Sequence, residues 1–391
     1  MSPRTATPRD DRAPIRARVV SWPAPPGGSD GGAYAVRIGG LPSPQAEEAA
    51  RRAGLWIDRR RSDAVLRGTA SSFAAFGGEG EVGAAAAAAL DRFRHPPRAL
   101  EACGRTFSLE RPLIVGILNA TPDSFYDRGR YFSLPEALAR ADEMVGEGAD
   151  LIEVGGETAR PGPPVDADEE CRRVVPLIEA LAARLAVPVS VDTYKPEVAA
   201  RAVGAGAVMI NDISGLADVR VAEVAAQRGA ALVVMHILGR PKVRQLSPQY
   251  GEVVDEVYTF LEAQTDAARA AGVPRARVVV DPGFSFGKAP QHDVEILRRF
   301  GEFRGLGYPL YLATSRKNYI RDLLALPFEE LLEGTAAAVA YGLAQGAHFV
   351  RTHDVRFMAR LARMMHAVLH LGEGSGAPER PAVEVTKRGQ G

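Results

Sequence analysis

The chain has 391 residues, 46% of them hydrophobic, and its 48 Lys+Arg balance 48 Asp+Glu, giving a formal net charge of zero. That balance argues against a general nucleic-acid or membrane-surface binder. No apolar run reaches the roughly 20 residues of a membrane span, and the opening MSPRTATPRDDRAPIR has no apolar signal region; the expectation is a cytoplasmic protein without nucleic-acid or membrane partners. Residues 1–15 read as a flexible tail. Over residues 16–100, ARVVSW, AYAVRI and DAVLRG read as short strands, and SPQAEEAARRAG and EVGAAAAAALDRF as helices. Gly/Pro-rich joints such as PAPPGGSDGG separate them, so the segment reads as a small α+β appendage with no assigned role. RHPPRALEACGRTF is expected to be a linker. The two cysteines, Cys103 and Cys171, have no metal-ligand spacing and suggest no disulfide framework, so they read as small inert hydrophobes.

From about residue 101 to 372 the text changes, and 373–391 reads as a second flexible tail. Eight short apolar runs, LIVGILN, LIEVGG, VPVSVD, VMINDIS, ALVVMH, RVVVDPG, PLYLATS and HFVRTHD, alternate with amphipathic stretches. Strands apolar on both faces, each followed by a helix, predict an α/β fold, a (β/α)8 TIM barrel of about the usual 250 residues. A doubly wound open sheet is the alternative; no G-x-G-x-x-G opens a helix after the first strand, which counts against it.

Each strand ends in a polar group: Asn119, Glu157, Asp192, Asn211, His236, Asp281, Ser315 with Lys317, and Arg351 with His353. In a barrel these ends share one mouth, where a ligand site is expected. One such residue would more often be a loop cap; eight together are not explained that way. Asp192, Asn211 and Asp281 suit a flat, nitrogen-rich heterocycle with an amidine-like edge. Lys317, Arg351 and His353 read as cations for an anion such as phosphate. The turn in LNATPDSF (118–125) adds an amide, a hydroxyl and an acid that suit a Mg²⁺-bound phosphate.

With those residues in view, the chain from about 102 to 371 resembles the dihydropteroate synthases. The motifs that carry the likeness run in order: GILNATPDSF, IEVGGETARPG, VSVDTYK, MINDISG, VVMH, VDPGFSFGK, TSRKNYI and FVRTHDV. The resemblance implies condensation of p-aminobenzoate with 6-hydroxymethyl-7,8-dihydropterin pyrophosphate, release of pyrophosphate, help from Mg²⁺, and a homodimer. It implies that Asp192, Asn211, Asp281 and Lys317 hold the pterin, with Ile213 and Met235 beside it. Asn119, Arg351 and His353 would take the pyrophosphate, with Asn119 close to the metal, and Phe286, Ser315, Arg160 and Pro161 would frame p-aminobenzoate. Asp281, Lys317, Arg351 and His353 would be the catalytic set. Three positions depart from the family pattern: Ala159 where Thr is usual, Arg128 where Gly is usual, and Ala313 where Gly is usual. A pterin-dependent methyltransferase and a non-catalytic pterin-binding paralogue are the rival readings; the cations and the TPDSF turn count against the first, and the complete set of pterin and anion residues against the second.

Overall fold

The computed structural model describes residues 16–21, 34–39, 42–59, 63–120 and 133–370. Thr121, Asp123 and Arg128 of the first-loop motif, and both expected tails, lie outside them. The chain divides into two compact units, Met1–His95 and Pro96–Gly391.

In the first unit, β1 (Ala17–Ser21), β2 (Tyr34–Gly39), α1 (Pro44–Arg52), β3 (Trp56–Arg59), β4 (Asp63–Gly68), α2 (Ala70–Gly77) and α3 (Gly80–Arg94) follow in order. The strands form one antiparallel sheet, β1-β2-β4-β3. Its core joins Val36, Ile38 and Leu66 to Phe73, Phe76 and Phe93 of the helices. Ser43 caps α1 by accepting from Ala46 N at 3.2 Å, and Thr69 caps α2 by accepting from Ser72 N at 3.2 Å. The sequence pattern had not foreseen β3 or α2. WIDR abuts further arginines and leaves Trp56 exposed, and ASSFAAFG is short with serines inside it.

The expected linker is instead a hairpin of β5 (Ala99–Ala102) and β6 (Arg105–Ser108). Cys103 and Gly104 turn it with φ of 48° and 76°, the two-residue geometry that fits strand twist. Its apolar side, Leu100, Ala102 and Phe107, is buried in one cluster with Val115, Leu151, Val279, Tyr311 and Phe349. The hairpin therefore belongs to the second unit and closes the floor of its core. A chain starting at Pro96 should melt cooperatively. One starting at Glu101 loses the fully buried Leu100 and the first half of strand β5. A buried Leu is worth about 2–5 kcal/mol, so that chain should melt roughly 10 °C lower; equal melting temperatures would place the hairpin outside the core.

The rest of the second unit alternates strand and helix: β7 (Leu113–Asn119), α4 (Leu134–Glu147), β8 (Leu151–Gly155), α5 (Ala167–Arg184), β9 (Val189–Asp192) and α6 (Pro196–Gly204). Then come β10 (Ala207–Asp212), α7 (Arg220–Arg228), β11 (Ala231–Met235), α8 (Val253–Ala270), β12 (Val278–Asp281) and α9 (Pro290–Arg298). Last are β13 (Tyr311–Leu312), α10 (Asn318–Leu324), α11 (Leu332–Ala344), β14 (Phe349–Thr352) and α12 (Val355–Leu369). The eight strands are parallel in the order β12-β11-β10-β9-β8-β7-β14-β13. A parallel bridge, Val280 to Leu310, with Val280 N donating to Pro309 O at 3.0 Å, closes the ring between β12 and β13. The fold is the expected TIM barrel. Alternate side chains divide the work: Ile152 and Val154 of β8 pack on the helices, while Leu151 joins the interior.

Candidate active site

Register sets the mouth of the barrel. Asn119 pairs with Gly155, Gly155 with Asp192, and Asp192 with Asn211, so one level carries an amide, a gap, an acid and an amide. At the gap a Cβ on Gly155 would lie in ordinary contact, 3.5 Å from Asn119 Oδ1 and 3.7 Å from Asp192 Cβ, so the glycine leaves open the space between the two. Asn211 is buried, and its Oδ1 has no hydrogen-bond partner among the described residues. A buried acceptor left unmade is costly and marks a place for a donor.

Below this level sits Glu153, a residue the strand-end pattern missed. It occupies the middle of β8 and is 0% exposed. Arg351 Nε donates to its Oε1 at 2.5 Å, Asn211 Nδ2 to Oε1 at 3.3 Å, Tyr311 OH to Oε2 at 3.0 Å, and Ser190 Oγ to Oε2 at 3.4 Å. The available signal was a lone carboxylate inside a wholly buried strand, on the inward parity of Leu151. Arg351 also donates from Nη2 to Asp192 Oδ2 at 2.9 Å. Burial pushes the Asp192 carboxyl up and Glu153 adds to this, while Arg351 pulls it down. Asp354, three residues along, takes a different arginine: it accepts both arms of Arg316, at 2.8 and 2.9 Å.

On the opposite side Asp281 ends β12, and Gly283 N donates to its Oδ1 at 2.7 Å. Burial pushes its carboxyl up to about 6, against that hydrogen bond and the nearby Lys317. Lys317 is lowered to about 8, by burial first and then by Arg351. Its ammonium stands 4.4 Å from the centre of the Phe286 ring, a cation–π distance. Phe286 packs on Ile213, Met235 and Ile237, so an apolar wall faces the acids. The loop needs its glycines: at φ 71°, a Cβ on Gly283 would come within 1.8 Å of His236 O.

Lys288 of the same loop had been given no role. Its Nζ donates to Gly283 O at 2.7 Å and Phe286 O at 3.3 Å, and lies 2.8 Å from His236 Nδ1. It thereby fastens the loop to the end of β11. His236, expected among the groups of the cup, packs edge-on against Phe260 of α8 with ring centres 4.8 Å apart. Burial and then Lys288 hold it neutral, at about 2.

His353 also departs from expectation, because it is not a cation. Burial and Arg351 lower it to about 3. Its Nδ1 lies 3.0 Å from Ser315 Oγ, and its backbone N–H donates to the same oxygen at 3.2 Å. Glu157 turns away from the cup and fixes its own loop. It accepts from Lys195 Nζ at 2.7 Å, Tyr194 OH at 2.9 Å and Val165 N at 2.6 Å. In that loop Ala159 and Pro161 are exposed and Arg160 is half-buried. Lys242 Nζ clasps Thr158 O at 2.9 Å from the β11 side. Among the described residues no group of three or more His, Cys, Asp or Glu side chains could hold a metal.

This arrangement can be set against known proteins. The family model described as pterin binding enzyme matches residues 115–353. The chain belongs to that family, the pterin-binding enzymes. Its relatives narrow the class. The dihydropteroate synthase of Bacillus subtilis strain 168 is 45% identical over 265 residues, 67% of this chain and 90% of the relative. The solved dihydropteroate synthase of Thermus thermophilus, in complex with 4-aminobenzoate, matches at TM-score 0.62 and 41% identity, over 70% of this chain and 99% of that one. A Mycobacterium leprae protein called inactive dihydropteroate synthase 2 is 43% identical over 284 residues, 71% of this chain and 96% of the relative. Within the pterin-binding enzymes the chain stands among the dihydropteroate synthases.

Proposed function

We propose that the chain joins p-aminobenzoate to 6-hydroxymethyl-7,8-dihydropterin pyrophosphate, giving 7,8-dihydropteroate, pyrophosphate and a proton. The observation that carries this reading is the Oδ1 of Asn211, which has no hydrogen-bond partner among the described residues, is buried level with Asp192 and is suited to the N–H edge of a pterin. Asp192, Asn211, Asp281 and Lys317 hold the ring, and Ile213 and Met235 cover one face. Asn119, Arg351 and His353 meet the pyrophosphate, His353 as a neutral hydrogen-bonding group. Phe286, Ser315, Arg160 and Pro161 frame p-aminobenzoate.

In the reaction the bond from the pterin methylene to the pyrophosphate oxygen breaks, and one from the same carbon to the arylamine nitrogen forms. Charge that develops on the methylene is spread into the ring and faced by Asp281, while Arg351 and Lys317 face the departing anion. The amine nitrogen is its own nucleophile and loses one proton afterwards. Mg²⁺, when bound, would neutralise the leaving group. Asn119 offers it an amide oxygen, and a single protein oxygen suits an ion that keeps waters and phosphate oxygens as its other ligands. We further propose a cytoplasmic homodimer; no described helix is long and apolar enough to cross a membrane. The exposed Phe357, Met364 and Val368 of α12 support self-association.

Pyrophosphate release, measured with and without p-aminobenzoate, tests the function. Release that depends on p-aminobenzoate is expected. Pterin binding without release would instead put the chain with inactive relatives such as the M. leprae protein. Ala159→Thr should lower the Michaelis constant for p-aminobenzoate about three- to tenfold, the value of one regained hydrogen bond of roughly 0.5–1.5 kcal/mol. No change would mean that Thr158 already supplies the hydroxyl, or that this loop does not hold the amine; Thr158→Val, harmful only in the first case, separates them.

A further inference from the structure

Arg351 has two carboxylate partners that differ in what else they can do. Glu153 is fully buried and both its oxygens are occupied, by Arg351, Asn211, Tyr311 and Ser190. No ligand can reach it, and a buried carboxylate does not release its cation without a large loss of stability. Asp192 lies one level higher, its side chain 16% exposed, with Oδ2 taken by Arg351 Nη2 at 2.9 Å. That oxygen is one the pterin edge would use, so in this structure the anion-binding arginine occupies part of the ring-binding acid. A guanidinium carries five N–H donors in a rigid fork. Pinned at Nε, it can redirect its two NH₂ groups towards a phosphate without leaving Glu153.

We propose that Glu153 is a positioning residue that holds Arg351 as a cation shared between Asp192 and the phosphate of the pterin substrate, so that arrival of the phosphate frees Asp192 for the ring. The inference rests on the reading of this mouth as a pterin pyrophosphate site. It explains how the site favours the activated substrate over the bare pterin: the leaving group unlocks the pocket for the ring that carries it. Because coupling between sites is reciprocal, bare pterin and inorganic pyrophosphate should each strengthen binding of the other.

Calorimetry on the full chain tests this with 6-hydroxymethylpterin as ligand, in the absence and presence of saturating inorganic pyrophosphate. In the wild type, pyrophosphate should tighten pterin binding about tenfold, within the usual range for coupled sites. In Glu153→Gln, which keeps the shape and loses the charge, Arg351 collapses onto Asp192, and the enhancement should fall below about twofold. Glu153→Asp keeps the charge and should recover part of it. A merely structural Glu153 would change melting temperature and leave the ratio of the two affinities untouched. Should Glu153→Gln fail to fold, Asp192→Asn removes the exchangeable partner and should also abolish the enhancement. The inference is overturned if the wild type binds pterin equally with and without pyrophosphate, or if either folded variant keeps the wild-type enhancement. A wild type that binds no pterin in either condition would overturn the pterin reading itself, and this inference with it.

Discussion

Asp281→Asn should lower turnover by about two orders of magnitude or more while leaving the fold intact. The amide keeps the size of the carboxylate and can still accept from Gly283 N, which donates to Oδ1 at 2.7 Å in the native protein. What it loses is negative charge facing the pterin methylene as pyrophosphate departs. In a buried site such a charge is worth roughly 3 kcal/mol of transition-state stabilisation, or about a hundredfold in rate. The titration of the same group gives an independent check. Burial raises Asp281 to about 6, and the carboxylate is the working form, so activity should rise with pH through that value and the limb should vanish in the variant. The sign for stability is opposite. A carboxyl whose folded value lies above its unfolded one binds its proton more tightly in the folded state, so stability is lost as pH rises between roughly 4 and 6. Asp281→Asn escapes that loss, on the order of 3 kcal/mol, and should melt no lower than wild type at pH 7. Wild-type turnover in the asparagine variant would remove Asp281 from the mechanism.

The barrel was legible because parallel strands covered on both faces must be apolar throughout, and each is followed by a helix with one apolar stripe. The polar strand ends were legible for the same reason: they break otherwise continuous apolar runs. Three features escaped for separate physical reasons. The hairpin of β5 and β6 looked like a linker because its strands are four residues each and follow a proline pair; its signal was the Cys-Gly turn between alternating residues. Glu153 escaped because a search of strand ends passes over a carboxylate in mid-strand, and its partners come from four other strands, β9, β10, β13 and β14. The charge of His353 escaped because residue type says nothing of burial. A histidine beside an arginine reads as a second cation in the sequence, yet in the fold the arginine is one reason it stays neutral.

Arg351→Ala separates binding from structure. Removing the guanidinium should weaken binding of the pterin pyrophosphate about a hundredfold, since a charge-assisted contact to a desolvated anion is lost. A pterin without phosphates should bind no more weakly, and up to about tenfold more tightly, because Asp192 loses the competitor that held its Oδ2. Stability must fall as well. Glu153, 0% exposed, is left as a buried charge without its cation, which costs about 3–5 kcal/mol. A drop in affinity alone could therefore be blamed on a damaged fold. The double variant Arg351→Ala, Glu153→Gln removes the stranded charge with its partner, and direct contacts of this kind are not additive. It should regain most of the lost melting temperature and none of the affinity for the phosphorylated ligand. Recovery of both would make Arg351 a structural residue only. Equal losses for the two ligands in the single variant would move the anion site elsewhere in the mouth. Recovery of stability without recovery of binding is the result that ties this arginine to the phosphate.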